Sequence, residues 1–106
     1  MKDIFRYHAE VCKTLANPKR LEIIYALKDG EKSVGELVAE LGLPKANVSQ
    51  HLSVLRGCGV VKCRREGQSI FYTIANRKII EACALMREVL IERLEEDSRI
   101  LGKLGS

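Results

Sequence analysis

Lys45, Ala46, Asn47, Ser49, Gln50, Ser53 and Arg56 lie within a twelve-residue stretch that contains no acid. Amide, hydroxyl, ammonium and guanidinium groups at this density suit hydrogen bonding to base edges and phosphate oxygens. Four thiols, Cys12, Cys58, Cys63 and Cys83, offer a second chemistry, since thiolates bind soft metals and trivalent arsenic and can be oxidised. No two of them form a CxxC, and neither His8 nor His51 stands at zinc-finger spacing from them, so a structural zinc site is disfavoured.

The polar stretch needs a helix to present it. Val48, Leu52 and Leu55 fall at i, i+4 and i+7, one apolar stripe, with the polar residues on the opposite side. Pro44 fits the first turn of that helix, and Gly57 and Gly59 stop it. Ahead of it, Ser33-Val34-Gly35-Glu36 reads as a capping box opening a short helix through Leu37 to Leu41, closed by Gly42. A short helix, a tight link and a polar-faced helix make a helix-turn-helix, whose second helix is shaped for a major groove.

Behind it the period changes to two. Val61 and Cys63 alternate with Lys62 and Arg64, and after a turn at Arg65-Glu66-Gly67-Gln68, Ile70, Tyr72 and Ile74 alternate with polar or aromatic neighbours. This β-hairpin is a wing, with Arg64, Arg65 and Gln68 placed to reach the DNA backbone. Phe5, His8, Cys12 and Leu15 give a first helix over about 3–16, and Asn17-Pro18 opens a second whose buried side is Leu21, Ile24 and Leu27. Asn76 caps a last helix running to about Asp97, with Ile79, Cys83, Met86, Leu90 and Leu94 as its stripe, widened by Ala82, Leu85 and Val89. The expected fold is mostly α with a small β-hairpin, a winged helix-turn-helix of order α-α-α-α-β-β-α, as one domain over 1–106. So broad a last stripe suggests a homodimer packed through the first and last helices; a wholly intramolecular core is the competing reading.

Charge supports the same picture. The net +4 is concentrated: residues 44–78 carry seven bases (Lys45, Arg56, Lys62, Arg64, Arg65, Arg77, Lys78) against Glu66 alone. A segment this basic is an electrostatic footprint for a polyanion, although a solvated basic face has the same composition. No apolar run reaches the ~18 residues of a membrane span and the N-terminus shows no signal-peptide core, so a cytoplasmic location with no membrane partner is expected.

In this order and spacing, Leu15-Ala16-Asn17-Pro18-Lys19-Arg20-Leu21, Ser33-Val34-Gly35-Glu36-Leu37, Asn47-Val48-Ser49-Gln50-His51-Leu52 and Gly59-Val60-Val61 with Phe71-Tyr72-Thr73-Ile74 resemble the ArsR/SmtB family. The resemblance runs from about Leu15 to Leu94. It implies a dimeric winged-helix repressor on an inverted-repeat operator in double-stranded DNA, released by a metal, metalloid or thiol-reactive inducer. The family's base-reading positions fall on Lys45, Ala46, Ser49 and Gln50; Asn47 and Arg56, with the wing residues, suit the backbone. His51 matches a family histidine, read here as a packed or backbone-bonded imidazole.

The inducer site is where the match thins. The arsenic-sensing branch would need cysteines near Glu36 to Ala39, and there are none; of the zinc branch's positions Asn76, Lys78, Val89 and Glu92 only Glu92 fits. In the cadmium- and lead-sensing branch Cys58 matches one ligand and Val54 replaces the other, with Cys63 as a substitute, leaving a two-thiolate site for a soft metal ion or arsenite that lacks a third ligand. Cys12 and Cys83, on the two helices expected at the dimer interface, form a candidate redox pair; the alternative for each thiol is a small buried hydrophobe. The one candidate cofactor is that soft metal ion or arsenite, as inducer. The rival functions are a winged-helix regulator without small-molecule input and a winged-helix protein-interaction module; a thiol enzyme is disfavoured because no base accompanies a cysteine in a recognisable motif.

Overall fold

Asn17 starts the packed body of the molecule. In a computed structural model that describes residues 2–104, its side chain accepts hydrogen bonds from the Lys19 and Arg20 amides while Pro18 takes the first helical position. The elements are α1 (Lys2–Leu15), α2 (Pro18–Ala26), β1 (Lys32–Ser33), α3 (Val34–Leu41), α4 (Lys45–Gly57), β2 (Val61–Glu66), β3 (Ser69–Ile74) and α5 (Arg77–Leu104). Residues 1, 105 and 106 of the domain expected over 1–106 lie outside the described residues.

The helix and hairpin order is as read, with one added strand. Lys32 and Ser33 pair antiparallel with Tyr72 and Phe71, so the sheet has three strands in the order β1-β3-β2. Two residues are too few to show a period, and Ser33 is also the N-cap of α3, where the Ser33–Glu36 capping box is formed in both directions. Gly42 then adopts φ +66, the left-handed turn that sends the chain from α3 into α4.

The core is Ile23, Ile24, Ala26 and Leu27 of α2, Leu37 of α3, Val48, Leu52 and Leu55 of α4, and Val60, Val61 and Ile74 at the base of the sheet. Three expectations shift. Leu21 is 38% exposed, its place taken by Ile23 and Ala26, because α2 meets α3 on one side and α4 on the other and so buries a wider arc. On α1 nothing is buried: Val11 and Leu15 pack on the core, whereas Phe5, the start of the expected stripe, is 67% exposed. The last helix begins after Asn76, whose Oδ1 accepts the Lys78 amide, but continues past Asp97 to Leu104. Glu95, Glu96 and Asp97 are all exposed, so these acids stay in solvent and do not stop it.

Candidate nucleic-acid interface

Every residue assigned to the DNA-facing side of α4 is exposed. Lys45, Ala46, Asn47, Ser49, Gln50, Ser53 and Arg56 face outward, and Val48, Leu52 and Leu55 are fully buried beneath them. Pro44 is the N-cap, one residue outside the helix, and its carbonyl accepts the Asn47 and Val48 amides. Gly57 is the last helical residue, Cys58 the C-cap, and Gly59 turns the chain with φ +79. The N-terminal half of α4 is therefore a rigid, acid-free surface fixed from below by three side chains.

His51, half-buried, is held through its ring: Nδ1 accepts Arg20 Nε at 3.3 Å. Arg20 Nη1 also donates to the Thr14 carbonyl at 3.0 Å, so one guanidinium joins the end of α1, α2 and α4. Of the packed or backbone-bonded imidazole expected, the ring is half-buried and its bond is to a side chain, with a partner 31 positions away that spacing does not reveal.

The wing separates its two arginines. Directly paired residues share a face, so Arg65 with Ile70 lies on the side that also carries Val61, Cys63, Tyr72 and the buried Ile74, the side turned to the helices. Arg64 with Phe71 lies on the other. Arg64 Nε donates to Glu31 Oε2 at 2.9 Å, Nη2 to Glu31 Oε1 and Nη1 to Glu66 Oε2 at 2.8 Å, and the guanidinium stacks 4.8 Å from the Phe71 ring centroid. Hydrogen bonds from Arg64 hold the Glu31 carboxyl below the usual carboxylate range, and the two carboxylates raise Arg64 in turn. The depressed Glu31 value means this link is intact at neutral pH and is lost as the pH falls through that lowered value. Arg65 and Gln68, by contrast, are exposed with no hydrogen bond or ion pair among the described residues.

Arg64, placed among the phosphate contacts by sequence, is therefore already engaged, and its loss leaves two carboxylates uncompensated beside the wing. Arg64→Ala is expected to weaken operator and random DNA alike by about three- to tenfold at low salt, and Arg64→Ala/Glu31→Gln/Glu66→Gln to recover most of the loss. A slope reduced by about one, with no recovery, would return Arg64 to the phosphate contacts.

A cleft of about 580 Å³ opens between the start of α3, the exposed side of α4 and the wing. The thiols lie apart from it. Cys58 caps α4 and its Sγ donates to the Leu55 carbonyl at 3.5 Å; Cys63 stands opposite Tyr72 in the sheet; Cys83 packs half-buried against the core; Cys12 is exposed on α1. Among the described residues no three His, Cys, Asp or Glu side chains come together as a metal site, and no helix is long and apolar enough to cross a membrane.

The family described as "Bacterial regulatory protein, arsR family" matches residues 17–62, from the α2 cap to the start of the wing. The uncharacterized HTH-type transcriptional regulator Rv0081 of Mycobacterium tuberculosis is 41% identical over 102 residues, 95% of this chain and 90% of its own. The chain belongs to the arsR family. Its fold agrees: the crystal structure of Rv0081 superposes with a TM-score of 0.79 at 42% identity, covering 88% of this chain and 94% of that one. The solution structure of the homodimeric winged helix-turn-helix domain of Mb0332 from Mycobacterium bovis gives 0.81 at 34% identity, covering 90% and 88%. The transcriptional activator HlyU of Vibrio cholerae is 45% identical over 67 residues, 63% of this chain and 62% of its own. As an arsR-family protein the chain is a DNA-binding transcriptional regulator and not an enzyme.

Proposed function

We propose that the protein is a homodimeric repressor that places two copies of α4 in successive major grooves of an inverted repeat, about 34–36 Å apart, and so excludes polymerase from a promoter. The exposed, acid-free face of α4 on its buried Val48-Leu52-Leu55 underside carries this reading. Lys45, Ala46, Ser49 and Gln50 read bases, while Asn47, Ser53 and Arg56, with Arg65 and Gln68 of the wing, hold the backbone. Pairing of two copies is supported by the apolar side chains left exposed on the outer helices: Ile4, Phe5 and Tyr7 on α1, and Leu85, Met86, Val89, Leu90, Ile91 and Leu94 on α5. The inducer is a soft metal ion, arsenite or a thiol oxidant, acting at Cys58 beside the recognition helix, with Cys63, or at Cys12 and Cys83.

Titration against the tightest-binding duplex from a randomised pool, and against random DNA, tests the assignment. Lys45→Ala and Gln50→Ala are each expected to cut the ratio of the two affinities by about tenfold, in line with ~1–3 kcal/mol per base contact. An unchanged ratio in both variants would overturn the base-reading roles. Arsenite or cadmium added to the reduced complex is expected to release the wild type and leave Cys58→Ser bound; equal release would remove Cys58 from the inducer site.

A further inference from the structure

The cleft between α3, α4 and the wing brings polar groups of three separate elements together. Lys45 and Ser49 come from α4, Gln68, Ser69 and Tyr72 from the wing, and Ser33 from the cap of α3; no carboxylate lines it. Tyr72 is the informative member. Its ring is half-buried and packs against the core, yet its hydroxyl makes no hydrogen bond among the described residues. A core position needs only the ring; no unpartnered side-chain oxygen is buried among the described residues, so this hydroxyl lies at the accessible surface of the cleft and is open to a ligand. It lines a space that also holds an ammonium, an amide and three further hydroxyls, a donor-rich lining suited to a phosphate oxygen.

The geometry of a duplex supplies that oxygen. With α4 in a major groove and the wing directed at the neighbouring minor groove, the sugar-phosphate strand dividing the two grooves passes between helix and wing. On the opposite face of the wing Arg64 is held by Glu31 and Glu66, which makes that face a less basic surface than the cleft. We propose that this cleft is a phosphodiester seat, in which the Tyr72 hydroxyl, with Gln68, grips the one strand that separates the grooves in each half-site. The inference rests on the DNA-binding reading above and adds to it a contact made by a residue outside the recognition helix and the wing tip. The seat fixes the angle between helix and wing on the duplex and is indifferent to sequence.

Tyr72→Phe keeps the ring and removes one oxygen. The variant is expected to keep the wild-type melting temperature and to lose about tenfold in affinity for selected and random duplex alike, with an unchanged salt slope because a neutral donor is removed. The complementary change is made in the DNA: a methylphosphonate walked along each strand is expected to weaken the wild type most at one phosphate per half-site between the two grooves. At that position the substitution costs Tyr72→Phe markedly less than it costs the wild type. Wild-type binding to unmodified duplex together with an unaffected Tyr72→Phe, or with no such phosphate, overturns the seat alone. A wild type that binds no duplex overturns both the seat and the reading it rests on.

Discussion

Leu90→Glu/Leu94→Glu is expected to convert the protein to a monomer and to lower its affinity for an inverted-repeat operator by about 10²–10⁴-fold, the factor by which linking two binding modules exceeds one. Neither leucine has work to do within one chain, being 49% and 65% exposed. Each contributes ~1.5–3 kcal/mol only if something covers it, and four charges in a two-fold interface would oppose contact outright. Sedimentation gives the mass and operator titration the affinity, while circular dichroism of the body confirms that the first two turns of α5 still pack. A variant that stays dimeric, or a monomer that binds the operator as the wild type does, would remove α5 from the interface.

The second large effect concerns stability. Leu52 is fully buried, and Leu52→Ala is expected to cost ~2–5 kcal/mol, a large part of the ~5–15 kcal/mol that holds a domain of this size folded. Its neighbour Ser53 points outward. Ser53→Ala is therefore expected to leave stability within about 0.5 kcal/mol while removing a proposed contact to DNA. Thermal unfolding of the pair separates the two sides of one helix: a Leu52→Ala melting temperature close to that of Ser53→Ala would contradict the burial of the α4 stripe.

The sides of α4 were legible because its apolar residues recur at 3.6 and its polar ones have no other use. The capping box and the left-handed Gly42 were equally readable, since local hydrogen bonds demand those residue types at those offsets. α1 shows where such reading stops. Periodicity finds the apolar residues of a helix but not which of them meet the same chain: Val11 and Leu15 do, whereas Ile4, Phe5 and Tyr7 remain open. The fate of Arg64 was hidden for a related reason. The alternation of β2 puts it on the outer face, but its partner Glu31 precedes a two-residue strand that no pattern announces. Tyr72 was seen as a strand residue, and only the tertiary arrangement shows that its oxygen is spare.

From Glu88 to Arg99 every side chain of α5 is exposed, so this half of the helix takes little support from the body that carries its first turns. An isolated stretch of that length is marginal in water. For the proposed dimer, dilution below its dissociation constant is expected to unwind the end of α5 as the subunits part, so that helix content and melting temperature both rise with protein concentration.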